Sequence, residues 1–303
     1  MVHISVVVPL LNEELIVSEL VERLNKALKE FTSEYEIILI DDGSKDLTWL
    51  NITKICEMDN RIRKIKFSRN FGQHSAITAG IDIARGQWIV VMDGDLQDRP
   101  EVISNLYVKA TEGFDTVFVS RIKRNESKTY LIMQNMFYRI LRHLSGIDFD
   151  RTQANFSIIN RKVAEHYKRV PENNKFYPST IKSLGFKNGS VSALQGKRYS
   201  GRPSYSFKKR FSLGINIITS ISNKPLSYAF IIGIISIMIF LLSATAYAYN
   251  IFVETKQVNK LEIILLALFF MGGIILTAIG IAGVYIGKIY DEIRGMPKYI
   301  VDE

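Results

Sequence analysis

Two long stretches without a single charge govern how this chain can fold. No charged residue occurs from Pro225 to Val253, and none from Ile263 to Gly287. About 20 apolar residues in helix cross a bilayer core of about 30 Å. Both stretches exceed that length, which disfavours the alternative of two buried core helices. The connector Glu254–Glu262 is short, so the pair reads as a helical hairpin that returns to its starting side. Lys208, Lys209, Arg210 and Lys224 precede the first span, and Lys288, Arg294 and Lys298 follow the second. The connector carries only Lys256 and Lys260. Basic flanks face the cytoplasm, so the expectation is an integral protein of the cytoplasmic membrane with both termini cytoplasmic. Two spans are few for a transport pore and read as an anchor.

The boundaries follow. Residues 1–204 form a soluble domain, 205–224 a juxtamembrane segment, 225–287 the hairpin (helices about 226–253 and 263–287) and 288–303 a tail. Tyr205–Ser222 mixes Lys208, Lys209 and Arg210 with Phe207, Phe211, Leu213, Ile215, Ile217 and Ile218. That composition suits an amphipathic helix in the headgroup layer; a basic loop leading into an ordinary helix is the alternative. The N-terminal run Met1–Pro9 lacks a basic region and a small-residue cleavage site, and reads as a first strand rather than a signal peptide. A net charge of +9 asks for an anionic partner, whether nucleic acid, phosphorylated substrate or membrane surface. The basic residues concentrate beside the spans, which disfavours nucleic acid. Cys56, the single cysteine, excludes an internal disulfide and a thiolate metal site.

The soluble part alternates. Ile4–Val8, Tyr35–Ile40, Ile62–Phe67, Trp88–Met92 and Thr116–Val119 are short apolar runs rich in β-branched residues. Leu15–Phe31, Leu47–Met58, Gln73–Ala84 and Pro100–Thr111 carry helical periodicity. This pattern predicts an α/β fold, a mostly parallel sheet covered by helices on both faces. Ligands bind such sheets at the carboxyl ends of the strands. Pro9-Leu10-Leu11-Asn12-Glu13, Asp41-Asp42-Gly43-Ser44 and Asp93-Gly94-Asp95-Leu96-Gln97-Asp98 all fall there. Neither a Gly-x-Gly-x-x-Gly after the first strand nor a Walker motif is present, which removes support for dinucleotide binding and P-loop chemistry.

Asp93 and Asp95 flank a glycine at a strand end, so both carboxylates can face one divalent cation. Oxygen-only ligation suits Mg²⁺ or Mn²⁺, ions that share carboxylates with substrate phosphates. A departing diphosphate gathers charge that such an ion stabilises. The bland alternative is a solvated turn capping the helix at Pro100. Asp41-Asp42-Gly43-Ser44 is equally open between a helix-capping turn and an acceptor for ribose or base.

Taken together with Ser68-Arg69-Asn70-Phe71-Gly72, Ala79-Gly80 and Arg198-Tyr199-Ser200-Gly201-Arg202-Pro203-Ser204-Tyr205, these motifs resemble family 2 glycosyltransferases with a GT-A fold. They are most similar to polyprenyl-phosphate glycosyltransferases, of the bactoprenol glucosyltransferase and dolichol-phosphate mannose synthase kind. The hairpin and the tail from Tyr285 to Val301 extend the resemblance over nearly the whole chain. It implies that Pro9, Leu11, Asn12, Glu13, Asp41, Asp42, Arg69 and Gln97 hold the nucleotide-sugar. It implies that Asp93, Asp95 and Gln97 surround the metal and diphosphate, and that Arg121, Arg198 and Ser204 serve the acceptor and its phosphate. Asp93, Asp95 and Arg121 are thereby the catalytic candidates. The resemblance also implies a homo-oligomer, a UDP-sugar such as UDP-glucose as donor, undecaprenyl or another polyprenyl phosphate as acceptor, and a lipid-linked product for lipopolysaccharide, O-antigen or other cell-surface glycan.

A lipid phosphate monoester is largely dianionic at neutral pH and needs no general base, so an inverting single displacement is expected. Three positions depart from the family pattern. Asn155 and Ser157 stand where relatives carry an acid and an arginine, and Val284 where they often carry glutamate. Asp148 and Asp150 are the remaining base candidates. His74 lies near the expected active face, whereas His3, His143 and His166 show no ligand spacing. Ser127–Ser145 reads as a helix, either over the acceptor cleft or in ordinary packing. Competing functions are a transferase acting on a sugar hydroxyl, which would require a carboxylate base, and a non-catalytic nucleotide-sugar-binding membrane protein.

Overall fold

The computed structural model describes residues 2–122, 139, 143, 153–170, 176–194, 196, 224–249, 260–295 and 297–303. Among these, seven strands form one sheet: β1 Ile4–Leu10, β2 Tyr35–Asp41, β3 Ile62–Lys66, β4 Trp88–Val91, β5 Thr116–Ile122, β6 Gln153–Asn160 and β7 Asn188–Leu194. Their spatial order is β3-β2-β1-β4-β6-β5-β7. Only β6 runs against its neighbours; the remaining pairs are parallel. The helices are α1 Val17–Lys29, α2 Thr48–Met58, α3 Gln73–Ile83, α4 Ile103–Thr111, α5 Arg161–Arg169, α6 Tyr177–Ser183, α7 Lys224–Tyr249 and α8 Lys260–Ile293. A 3-10 turn, Pro100–Val102, leads into α4.

Why the sheet sits where it does is visible in β1. Every residue of β1 and β2 is buried, as expected for strands covered on both faces. Val6, Val8 and Leu10 join one core with Leu20, Leu24, Leu106 and Ile158. Val7, on the opposite face, joins Ile40, Ile77, Ala79 and Tyr167 in the other. The period of two in the sequence is the period of two between faces. α1 contributes its stripe of Val17, Leu20, Val21, Leu24, Ala27 and Leu28 at helical spacing. On the other face α3 approaches closely enough that a β-carbon on Gly80 would stand 2.3 Å from Val7 Cγ1.

The five strands and four helices expected from periodicity are present, with ends shifted by a few residues. One shift matters. β5 does not stop at Val119 but runs to Ile122, so Arg121 lies within the strand, paired with Ala193 of β7, rather than in the loop after it. The parallel partner β7 carries the pairing past the end of the apolar run.

The described elements fall into two compact units. One holds the sheet, its helices and the segment Gly295–Glu303; the other holds α7 and α8. In the second unit α7 and α8 pack on each other. The windows Leu226–Ser243 and Phe270–Gly287 have mean hydropathies of 2.4 and 1.9 with none of their residues buried. Long apolar helices that cover each other only in part and hold no fully buried residue in these windows are long and apolar enough to cross a membrane. The amphipathic segment 205–222, the connector 254–259 and the helix expected over 127–145, except Arg139 and His143, lie outside the described residues.

Candidate active site

Strand order reverses between β1 and β4, and at such a switch point the loops leaving the two strands diverge and open a crevice. The carboxyl ends of β3, β2, β1 and β4 place four loops side by side. They carry Arg69, then Asp41 and Asp42, then Pro9 to Glu13, then Asp93 to Asp98.

These loops are bonded to each other. Asn12, at φ 55, donates its backbone N–H to Ser44 Oγ (2.9 Å) and accepts from the Lys45 N–H through Oδ1 (2.9 Å). The Glu13 N–H donates to Thr48 Oγ1 at 2.8 Å. Asn tolerates the left-handed conformation better than most residues, which fits its place here. Gly43, at φ 72, passes so close to the next loop that a β-carbon would lie 2.5 Å from the Arg69 carbonyl carbon. The glycine of Asp41-Asp42-Gly43-Ser44 is therefore fixed by backbone meeting backbone.

The two acids of that turn divide their work. Asp41 is fully buried. Its Oδ1 accepts from the Ser44 N–H at 3.1 Å, while Oδ2 is buried with no hydrogen-bond partner among the described residues. Burial raises its pKa above the ordinary carboxylate value. Asp42 reaches across to the β3 loop, where its carboxylate accepts from the Phe71 N–H (2.7 Å) and the Gly72 N–H (3.0 Å to Oδ2). Burial pushes Asp42 up to about 6, against the downward pull of those two amides. Both acids thus build the turn, and one oxygen of Asp41 is left over. Arg69 is exposed, its guanidinium 4.1 Å from the centre of the Phe71 ring.

In the β4 loop, Asp93 is gripped from two sides. Gln73 Nε2, from the first residue of α3, donates to its Oδ1 at 2.7 Å, and Asn155 Nδ2, from β6, donates to the same oxygen at 3.1 Å. The antiparallel register pairs Val91 with Ser157, which carries Asn155 opposite Asp93. Asp95 Oδ1 accepts from the Gln97 N–H at 3.1 Å. Leu96 is buried at φ 57, a conformation costing a residue with a β-carbon about 1 kcal/mol or more. Such strain persists where surrounding structure enforces it. Gly94 packs on β1, where a β-carbon would sit 2.4 Å from Leu10 Cδ2. The Gly196 N–H donates to the Gln97 carbonyl at 2.9 Å, bringing the chain beyond β7 to the same loop.

Asp93 and Asp95 offer hard oxygen donors to a divalent cation. Among the described residues no three His, Cys, Asp or Glu side chains converge as a metal site. Two carboxylates would leave most of the shell of a Mg²⁺ or Mn²⁺ to substrate phosphate and water, the usual habit of Mg²⁺. The backbone of Gln97 shapes this loop. Arg121 stands at the carboxyl end of β5, on the same edge of the sheet, while Arg198, Ser204, Asp148 and Asp150 lie outside the described residues.

Ser157 and Asn155 have clear local roles. Ser157 is fully buried, its hydroxyl donating to the Asn155 carbonyl (2.9 Å) and 2.8 Å from Tyr177 Oη. An arginine there would have to displace the buried Tyr177. His74, next to Gln73, accepts from the Tyr177 N–H through Nδ1 at 3.4 Å and meets the Phe176 ring edge-on at 4.6 Å. Burial lowers its pKa to about 4, so it is a neutral structural imidazole at pH 7. Nothing in the structure explains Val284, which lies half-exposed on α8. Gln73 and the contact of Asn155 with Asp93 were missed by sequence reasoning; the β4–β6 register is the one signal that finds the latter.

A mostly parallel sheet with bonded acidic loops at its switch point is the architecture of the nucleotide-sugar-binding α/β transferases. The model of Glycosyl transferase family 2 matches residues 5–168, and the chain belongs to that family of enzymes. It is 37% identical to the uncharacterized glycosyltransferase YkcC of Bacillus subtilis (strain 168) over 100% of this chain and 94% of that protein. It is 32% identical to the SfII prophage-derived bactoprenol glucosyl transferase of Shigella flexneri, covering 98% of this chain and 97% of the relative. Among solved structures, glucosyl-3-phosphoglycerate synthase from Mycobacterium tuberculosis, in complex with Mn²⁺, UDP-glucose and phosphoglyceric acid, superposes with a TM-score of 0.52. Identity is 18%, and the match covers 72% of this chain and 77% of that one. Mannosyltransferase PcManGT from Pyrobaculum calidifontis, in complex with GDP-Man and Mn²⁺, gives 0.51 at 15% identity over 72% and 63%. Both likenesses are of fold.

Proposed function

We propose that this chain is a GT-A-type enzyme that moves a sugar from a nucleotide-sugar, a UDP-sugar such as UDP-glucose foremost, onto a polyprenyl phosphate such as undecaprenyl phosphate. Among the described residues, the observation that favours this acceptor is Asn155; the base candidates Asp148 and Asp150 lie outside them. The side chain opposite Asp93 is an amide, which donates to that carboxylate and has no basicity with which to take a proton. A sugar hydroxyl needs a base; an ionised lipid phosphate does not. Two exposed apolar helices and the bactoprenol glucosyl transferase relative support the same acceptor.

In this reading a phosphate oxygen of the lipid attacks the anomeric carbon as its bond to the nucleoside diphosphate breaks, with inversion, and the diphosphate leaves with the bonding electrons. Asp93 and Asp95 would hold Mg²⁺ or Mn²⁺, which supplies neutralising charge for that leaving group. The Mn²⁺ held with nucleotide-sugar by the two solved proteins of this fold supports the choice of ion. Gln73 and Asn155 fix the Asp93 carboxylate, so little reorganisation accompanies reaction. Pro9, Leu11, Asn12, Glu13, Asp41, Asp42 and Arg69 frame the nucleoside side. Arg121, Arg198 and Ser204 are assigned to the acceptor phosphate. The catalytic unit and the tail lie on the cytoplasmic face, supported by the basic flanks of the spans, and the product is a lipid-linked monosaccharide for surface glycan synthesis.

The test uses membranes containing the full chain, labelled UDP- and GDP-sugars, undecaprenyl phosphate, and EDTA in a parallel arm. Label should pass into the organic phase in an acid-labile, EDTA-sensitive product. Label found only on a water-soluble or base-dependent glycan would overturn the acceptor assignment.

A further inference from the structure

β3 is the edge of the sheet, and an open edge strand ordinarily needs cover. Here the cover is the chain that follows α8. The Lys66 N–H donates to the Glu303 carbonyl (2.8 Å), the Asp302 N–H to the Lys66 carbonyl (2.8 Å), and the Ser68 N–H to the Ile300 carbonyl (3.1 Å). These bonds bracket Phe67, which bridges Val301 in antiparallel sense. Phe67 is the residue from which the Ser68–Gly72 loop departs.

Side chains carry the contact further. The Tyr299 ring stacks on Phe67 at 5.0 Å and 13° between planes, and its hydroxyl donates to Asp82 Oδ2 of α3 at 3.0 Å. Burial and that carboxylate raise the Tyr299 phenol, so it remains a neutral donor throughout the working range. Lys298 Nζ donates to the Val170 carbonyl at 3.4 Å. Phe67, itself buried, meets Phe71 edge to face at 5.7 Å. The Phe71 and Gly72 N–H groups are the donors to Asp42. The tail therefore bears on both supports of the acidic loops. Through Phe67 it reaches the loop that binds Asp42, and through Asp82 it reaches the helix whose first residue, Gln73, grips Asp93.

We propose that residues 297–303 form part of the donor site, with Tyr299 a positioning residue that holds the Ser68–Gly72 loop with its amides turned to Asp42. The assignment of that loop to the donor rests on the function proposed above; the coupling of tail to loop does not. Edge cover alone would require only backbone pairing. The ring stack and the hydroxyl anchor on α3 are additional and aimed at the site.

The experiment compares full-length parent, Tyr299→Ala, Tyr299→Leu and Tyr299→Phe in detergent or nanodiscs. Two readouts are taken: hydrogen exchange at the Phe71 and Gly72 amides, and steady-state kinetics with the donor sugar the enzyme uses. Tyr299→Ala should speed exchange at those amides about tenfold and raise donor KM about tenfold, with kcat falling far less. Tyr299→Leu, which fills space without the planar stack, should behave alike and serves if the alanine variant does not fold. Tyr299→Phe, keeping the stack, should recover most of both. Parent-like exchange at Phe71 and Gly72 in the alanine or leucine variant overturns the coupling. So does a loss confined to kcat, or a fall in thermal stability without a change in KM. A parent that turns over no nucleotide-sugar sinks the functional assignment instead, and the exchange data then decide the coupling by themselves.

Discussion

Replacing Asn155 by aspartate is the most informative single change at the Asp93 site. Asn155 Nδ2 lies 3.1 Å from Asp93 Oδ1, so the near-isosteric carboxylate would set two negative charges about 4 Å apart. At an effective dielectric constant of about 20, that repulsion is about 4 kcal/mol. Both side chains are partly exposed, and solvent screening reduces the figure to about 2 kcal/mol. Loss of the amide hydrogen bond adds about 1 kcal/mol. Paired carboxylates share a proton, so the pKa of one is raised in the folded state. The sign follows: the repulsion is absent below about pH 4, where the unfolded acid is protonated too, and is fully felt once pH has risen through the raised folded value. Asn155→Asp should therefore unfold with a deficit of about 3 kcal/mol at pH 8, a shift of about 6–12 °C for a domain of this size, shrinking to about 1 kcal/mol near pH 4. Asn155→Ala, which loses the hydrogen bond without adding charge, should show a smaller deficit with little pH dependence. Millimolar Mn²⁺ should restore the aspartate variant more than the alanine one. The assay is thermal unfolding of the full chain in detergent across that pH range. Equal, pH-independent deficits in the two variants would refute the assigned geometry.

Other outcomes follow from the same site. Asp95→Asn should remove transfer by about 100-fold or more while leaving the unfolding temperature near the parent's, and substantial retained turnover would count against the metal role. Gln73→Ala, which frees one side of Asp93, should lower kcat by about tenfold with an unchanged fold, as read by circular dichroism. Burial holds Asp42 up at about 6, so ionising it costs the folded state as pH rises from about 4 through about 6. Across that window Asp42→Asn should lose about 1–2 kcal/mol less stability than the parent; an identical change of unfolding free energy with pH in the two proteins, read from denaturant titrations at each pH, would reject the shift. Gly43→Ala should destabilise by about 2 kcal/mol or more, because φ 72 and the Arg69 backbone both oppose a β-carbon.

Much of this was legible in residue order, for physical reasons that also mark where legibility stops. β1 and β2 announce themselves because strands buried on both faces must be continuously apolar, and α7 and α8 because two such lengths without charge are long and apolar enough to cross a membrane. β7, Asn-Gly-Ser-Val-Ser-Ala-Leu, alternates partly covered with exposed positions and is built of small residues, so its periodicity carries little hydrophobic signal. β6 begins with Gln153 and runs antiparallel within the mostly parallel sheet, and the βα alternation before it carries no sign of that strand. The acidic loops could be located from strand ends alone, but the separate duties of Asp41 and Asp42 depend on the approach of the β3 loop. Likewise Asn155 looked like an unexplained departure until the β4–β6 register set it opposite Asp93.

The strip of chain beside β3 also fixes an order of events during synthesis. Residues 297–303 leave the ribosome after α7 and α8, yet they complete a sheet whose other strands emerge earlier. The newly made N-terminal part must wait with one flank bare while both apolar helices are synthesised. A fragment halted before α7 would keep that flank open and be prone to pair with its own kind. Supplying the missing strip as a separate peptide is then the natural way to keep such a fragment monomeric.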